Sequence, residues 1–226
     1  ALRAAGSPIP TNDLWIADEQ IGLVHVVNTW NSKAYTPDGP GSNKVYAIDI
    51  RKESVWVAPG EHNGLWDNAD APNVDGIFYR KEDTWNTISM STQSILDSIR
   101  DIVSVTIDPQ DPEHVFAGTL GKGLIEIRSG VITRIHNQYN SALQVRGDAP
   151  QSGWVASYGQ VFDEDGNLWV GNAKANTPIC LMQPNGTWTA FNFGTGFQTL
   201  LIGPMILDKD GKIWAIVPRG GGILCY

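Results

Sequence analysis

Four histidines, two cysteines and a set of acidic turns are the side chains here with the means to do chemistry. His25, His62, His114 and His136 stand far apart, and none shares metal-ligand spacing with another histidine or a cysteine. No Gly-Xaa-Ser-Xaa-Gly elbow, phosphate-cradling glycine loop or paired-cysteine metal motif occurs. Two Asp-Xaa-Asp-Gly turns, at Asp163 to Gly166 and Asp208 to Gly211, match the opening of a calcium loop but lack its closing glutamate. Aspartate and glycine are equally what a tight turn requires, for side-chain capping and for positive φ, and the turn is the reading adopted. The 24 acidic residues are enough to contain a glycosidase-type pair, yet nothing singles one pair out. Cys180 and Cys225 each sit in an apolar strand-like run, which predicts two buried thiols rather than a disulfide scaffold. The chemistry expected is therefore binding, with no catalytic residue, no metal and no cofactor.

The elements that would position such a site follow from an internal repeat. Its clearest copy runs from Gly159 through Asp163-Glu164-Asp165-Gly166 to Leu168-Trp169-Val170-Gly171, and it recurs from Gly203 to Ile216 around Trp214. Degenerate copies run from Val45 to Val57 and from Val103 to Gly118, and the chain opens on half a unit, Asp13 to Ala17. The aromatic anchors are Trp15, Trp56, Phe116, Trp169 and Trp214, separated by 41, 60, 53 and 45 residues. After each anchor come a short loop and a strand that usually opens on glycine, as in Gly22-Leu23, Gly76-Ile77, Gly123-Leu124 and Gly222-Ile223. Three of these lead over a tight turn to an outer strand, such as Thr187-Trp188-Thr189-Ala190-Phe191.

Four antiparallel strands per repeat are the signature of a propeller blade, and a sandwich would not hold the tryptophans in fixed phase. The fold expected is all-β: a β-propeller of four-stranded antiparallel blades, an incomplete ring of about four to five blades of a larger propeller. Its parts are the second half of one blade at 11–44, blades at 45–102, 103–158 and 159–202, and a partial blade at 203–226. No helix is required; only Ser91 to Ile102 has helix-like spacing, good for one or two turns.

A net charge of −8 over 226 residues argues against sequence-independent nucleic-acid binding and against a polybasic lipid anchor. No apolar run approaches the length of a membrane helix. Loops joining the second and third strands of every blade are expected on one common face. That face would carry Glu61, His62, Trp66 and Asp67 from the long insertion Pro59 to Asp75, with Lys122, Lys174 and Arg219. Aromatic and basic groups together suit a sugar or an acidic ligand, and His62, Trp66, Lys122, Lys174 and Arg219 are the candidate binding residues.

The Asp-Xaa-Xaa-Gly-Xaa-[Leu/Ile]-Trp-[Ile/Val] unit followed by Gly-[Leu/Ile] resembles the two-component-regulator propeller repeats of Bacteroidetes. The runs Asp108 to Leu124, Asn137 to Leu143 and Val217 to Ile223 are more narrowly similar to the PorZ family of type IX secretion proteins. The resemblance covers about Val45 to Tyr226, and its unequal repeat lengths favour that family over the sensor kinases, whose Leu-Ser-Xaa-Asn step is absent here. It implies a parent chain with further blades, two propellers in all, and a C-terminal β-sandwich. It also implies a place on the extracellular face of the outer membrane, in an attachment complex with the sortase PorU. The role implied is to bring anionic lipopolysaccharide to that sortase for cargo anchoring. The sensor alternative implies a periplasmic, ligand-sensing propeller of a hybrid histidine kinase, and a polysaccharide-cleaving propeller enzyme comes third. The PorZ family has no short ligand motif, so no functional residue carries over from it.

Overall fold

The computed structural model of the chain describes residues 3–6, 14–18, 22–28, 30–35, 38–61, 72–193 and 201–226. Its described residues are all-β apart from two short 3-10 turns, and the chain divides into Ala1–Gly39 and Pro40–Tyr226. The segment Ala1–Gly39 is one antiparallel sheet of β1 (Arg3–Gly6), β2 (Leu14–Asp18), β3 (Gly22–Asn28) and β4 (Asn31–Tyr35), in that order. Half a blade was expected there. The extra strand, Arg3-Ala4-Ala5-Gly6, has no β-branched or aromatic residue by which a repeat reveals itself, yet it pairs with Leu14 to Ala17. The anchor Trp15 stacks on His25 across the β2–β3 pair, with ring centroids 4.3 Å apart.

The segment Pro40–Tyr226 contains four sheets. The first holds β5 (Ala47–Arg51), β6 (Ser54–Ala58), β7 (Ile77–Lys81) and β8 (Thr84–Ile88). The second holds β9 (Ile102–Ile107), β10 (His114–Thr119), β11 (Leu124–Arg128) and β12 (Val131–His136). The third holds β13 (Ala156–Phe162), β14 (Leu168–Ala173), β15 (Ile179–Met182) and β16 (Trp188–Phe191). The fourth has three strands, β17 (Met205–Leu207), β18 (Ile213–Val217) and β19 (Gly222–Cys225). Within each sheet the strands are antiparallel and lie in chain order, and the first strands β5, β9, β13 and β17 are neighbours in series. Radially arranged meanders whose first strands adjoin are propeller blades.

Packing explains the fixed phase of the anchors. Because strand side chains alternate in direction, each sheet presents one set to the preceding blade and the other to the following one. Trp56, Ile77 and Ile88 pack forward against Ile107, Val115 and Ile125. Phe116 and Leu124 pack forward against Phe162, Leu168, Val170 and Met182. Trp169, Ile179 and Phe191 pack forward against Met205, Ile213, Ala215 and Val217. In these three blades the anchor is the side chain that closes one blade on the next. Blades covered on both faces lose the polar alternation of a one-sided sheet, as β10 shows by being buried throughout.

The glycines that open the third strands have a steric cause. Gly76 and Gly123 take φ of 89° and 88°, and a Cβ at either would collide with the carbonyl oxygen of Ile88 or His136 on the outer strand. The acidic turns also have a structural task. Asp163 Oδ1 accepts from the amides of Asp165 and Asn167, and its Oδ2 accepts from Trp169 Nε1 at 2.8 Å. Asp208 repeats this with the amides of Asp210 and Lys212 and with Trp214 Nε1 at 2.7 Å. The indole bond holds Asp208 below the usual carboxylate range.

Two expectations need correction. The helix-like stretch makes a 3-10 turn at Ser94–Ser98, within the one or two turns expected, but a second 3-10 turn, Pro150–Ser152, lies in a connection where none was expected. Of the two thiols only Cys180 is buried, and burial pushes it up to about 12. Cys225 is exposed because it lies on the face of β19 that carries exposed Ile223, opposite the face packed on the third blade.

Candidate functional site

The turns between second and third strands are stitched to the segments that carry the chain from one blade to the next. Between the first and second of the four blades, the amide of Asp101 donates to Asn73 and the amide of Leu120 donates to Asp101. Asp101 Oδ1 accepts from the amide of Asn73 at 2.7 Å, and burial pushes this carboxyl above its ordinary value.

The connection from β12 to β13, residues 137–155, is longer and touches two such turns. The amide of Gly123 donates to Val155 and the amide of Val155 donates to Gly121, which ties the connection to the Lys122 turn. At its other end the amide of Gly147 donates to the carbonyl of Lys174, and the amide of Gln144 donates to Asn172 Oδ1. Within it, the amide of Arg146 donates to the carbonyl of Trp154 at 2.9 Å. One hydrogen-bonded span therefore runs from the Lys122 turn through Trp154 and Arg146 to the Lys174 turn.

Its side chains form a cationic and aromatic group. Arg146 grips Asp148 with Nε on Oδ1 at 2.6 Å and a terminal nitrogen on Oδ2 at 2.8 Å. Lys174 Nζ lies 3.1 Å from Asp148 Oδ2. The Arg146 guanidinium, helped by Lys174, holds the Asp148 carboxyl well below its usual range against the opposing effect of burial. Two cations share one carboxylate in a chain of net charge −8. Lys122 is exposed beside it, and its backbone is set by Thr119, whose Oγ1 accepts from the Lys122 amide at 2.9 Å. Trp154 is 37% exposed, with its ring 3.8 Å from where a side chain on Gly121 would begin.

The structure brings Lys122 and Lys174 onto this one span. Lys174 is 8% exposed and engaged by Asp148, so it shapes the site's potential from behind rather than from its surface. Arg219, at φ 62°, is exposed on the β18–β19 turn, and among the described residues no backbone hydrogen bond ties that turn to the span. His62 and Trp66 lie outside the described residues. The sequence reading missed Arg146, Asp148 and Trp154. A signal existed, because Trp154 falls outside the anchor phase and so has no blade-closing task. Nothing in the repeat predicted the two-cation grip on Asp148.

No protein-family profile and no curated protein matches the chain. Solved structures do. The chain is similar to PorZ, an essential surface component of the type IX secretion system of Porphyromonas gingivalis. The likeness has 22% identity and a TM-score of 0.70, over 96% of this chain and 30% of that one. It is also similar to the extracellular domain of the hybrid two-component system BT4673 of B. thetaiotaomicron, at 15% identity and TM-score 0.53 over 96% of this chain and 26% of that one. An ancestral GH74 enzyme gives 17% identity and TM-score 0.56, over 98% of this chain and 30% of that one. The chain thus spans less than a third of each of these structures, and the likeness is one of propeller fold. Two of the three are surface or extracellular proteins of bacteria. Among the described residues no helix is long and apolar enough to cross a membrane.

Proposed function

We propose that this chain is a non-catalytic binding and scaffold segment of a cell-surface propeller protein, PorZ-like in its role, which engages an anionic glycan on its loop face. The observation that carries the reading is the span from Lys122 through Trp154 and Arg146 to Lys174. It sets Arg146 and Lys174 on one carboxylate, with exposed Lys122 and an exposed indole on the same span of an acidic chain. An indole stacks on sugar rings, and fixed cations select phosphate or carboxylate substituents. In the type IX reading the ligand is lipopolysaccharide and the protein partner is a PorU-like sortase on the outer-membrane surface.

The test is titration of purified lipopolysaccharide, with an uncharged polysaccharide as control, into the wild type and into Lys122→Ala/Trp154→Ala. These positions leave the Arg146–Asp148–Lys174 grip intact. The expected result is binding that weakens with salt and falls tenfold or more in the double variant. Equal affinity in the two proteins, or salt-independent binding, overturns the reading.

The likeness to BT4673 favours a second reading, a ligand-sensing propeller of a hybrid kinase. Sequencing the open reading frame on both sides separates the two. A membrane helix and kinase selects the sensor, whereas a second propeller and β-sandwich select the secretion component. The likeness to a GH74 enzyme makes a polysaccharide-hydrolysis assay the necessary control for a non-catalytic role.

A further inference from the structure

The connection from β12 to β13 begins with a turn that holds one aromatic ring out in solvent. Asn137 Oδ1 accepts from the Tyr139 amide at 3.0 Å, and Asn140 Oδ1 accepts from the Asn137 amide at 2.8 Å. Asn140 Nδ2 donates to the carbonyl of Ile135 at 2.9 Å, and the Ser141 hydroxyl donates to the carbonyl of Asn137 at 2.6 Å. The turn leaves β12 after His136, which is buried, and runs into Leu143, which is buried in one cluster with Phe116 and Leu124. Two asparagines and a serine are thus committed to the backbone of the turn, and buried residues pin it at both ends. Tyr139 adds nothing to this support. It is 88% exposed, and its side chain has no hydrogen bond or ring contact among the described residues.

A single exposed aromatic residue is ordinary on a protein surface. Tyr139 is set apart by its support and by its place. A Cβ on Gly123 would lie 3.4 Å from Asn137 Cα, so the tyrosine turn abuts the Lys122 turn at Gly123. Trp154 meets the same turn at its other glycine, with its ring 3.8 Å from a Cβ on Gly121. Exposed Lys122 therefore lies between the two points where the aromatic segments touch its turn. The two rings make no contact with each other, so each offers its own face. A tyrosine ring has few rotamers to lose when a ligand covers it, and a turn already fixed has little left to order.

Two separate aromatic faces flanking a lysine exceed what one sugar ring can use. They match rings along one glycan chain, each aromatic covering a ring face, with the lysine on a charged substituent between them. We propose that Tyr139 forms a second sugar subsite beside that of Lys122 and Trp154, an inference that rests on the glycan reading above, so that the loop face takes an oligosaccharide rather than a single sugar. Stacking on Tyr139 engages an uncharged ring face, and residues 137–141 contain no acidic side chain to repel an anionic chain.

The test is titration of purified lipopolysaccharide, and of one- and two-sugar fragments from partial hydrolysis of its polysaccharide, into the wild type, Tyr139→Ala, Tyr139→Phe and Lys122→Ala/Trp154→Ala. Thermal melts of the Tyr139 variants should match the wild type, and a lowered melting point would make the ring structural and overturn the proposal. The expected result is a fivefold or greater loss of lipopolysaccharide affinity in Tyr139→Ala and none in Tyr139→Phe, which keeps the stacking face. The short fragments should bind the wild type and Tyr139→Ala alike, because they fill the Lys122–Trp154 subsite alone. An equal loss for fragments and lipopolysaccharide would put both aromatics on one sugar and overturn the second subsite. Wild-type affinity in Tyr139→Ala, with binding lost in Lys122→Ala/Trp154→Ala, overturns the second subsite and leaves the glycan reading standing. Absence of lipopolysaccharide binding to the wild type overturns both.

Discussion

At the scale of single residues, the acidic turns show how one side chain can fix both a local bend and a blade contact. Asp163 satisfies two turn amides and one indole nitrogen, so its carboxylate oxygens are committed to the fold. Removing them strands the part-buried Asn167 amide and Trp169 indole, which costs more than a surface bond is worth. Asp163→Ala is expected to lower unfolding stability by about 1–3 kcal/mol, with Asp163→Asn losing less because it keeps one acceptor. Urea titration of both variants decides it, and wild-type midpoints would mean that the indole finds another acceptor. Trp154 has the opposite character. It is partly exposed and closes no blade, so Trp154→Ala should change stability by less than about 1 kcal/mol. A larger loss would make it a structural residue and remove it from the candidate site.

At the scale of elements, the anchors are not energetically equal although the repeat aligns them. Phe116 is 0% exposed and packs against Phe162 at 6.0 Å between ring centroids. Trp169 stays partly exposed and is held by Phe191, Tyr226 and its bond to Asp163. Phe116→Ala is therefore expected to cost about 3–5 kcal/mol, and Trp169→Ala about 3 kcal/mol, at the low end of the range for such truncations. Chemical denaturation of the pair tests the order, and a reversed order would mean that the third interblade contact rests mainly on Trp169. The third-strand glycines give a sharper test. Gly123→Ala adds a Cβ against the His136 carbonyl at φ 88°, so strain and collision combine. It should cost more than Gly186→Ala, where φ is also positive but no atom lies within 4 Å.

At the scale of the whole molecule, what the sequence disclosed was whatever the repeat imposes. Anchor phase, glycine-opened third strands and aspartate turns were legible because each answers a steric or hydrogen-bonding demand met in more than one blade. The strand Arg3–Gly6 and the exposure of Cys225 were not, since one has no repeat residue and the other depends on which face of β19 is covered. Of the candidate site, Lys122 and Lys174 were found because they sit in repeat turns. Arg146 and Asp148 were not, because a connecting segment has no periodicity from which to place them. Charges placed in this way make the fold sensitive to acid. Glu126 is held below the usual carboxylate range, chiefly by its bond to His114 and then by His136, and Asp148 is held low chiefly by Arg146. A carboxyl depressed in the folded state stabilises above its unfolded value of about 4 and loses that contribution as pH falls below it. Stability is therefore expected to be flat from about pH 7 to pH 5 and to fall steeply below about pH 4. Glu126→Gln removes one of these groups and strands a buried imidazole donor, for a loss of about 1–3 kcal/mol at pH 7. Because the wild type gives up the same contribution on protonation, the gap between the two proteins should close toward pH 3. Denaturation curves at pH 7, 5, 4 and 3 measure that gap. A gap constant with pH would mean that the Glu126 carboxylate draws no net stability from His114 and His136.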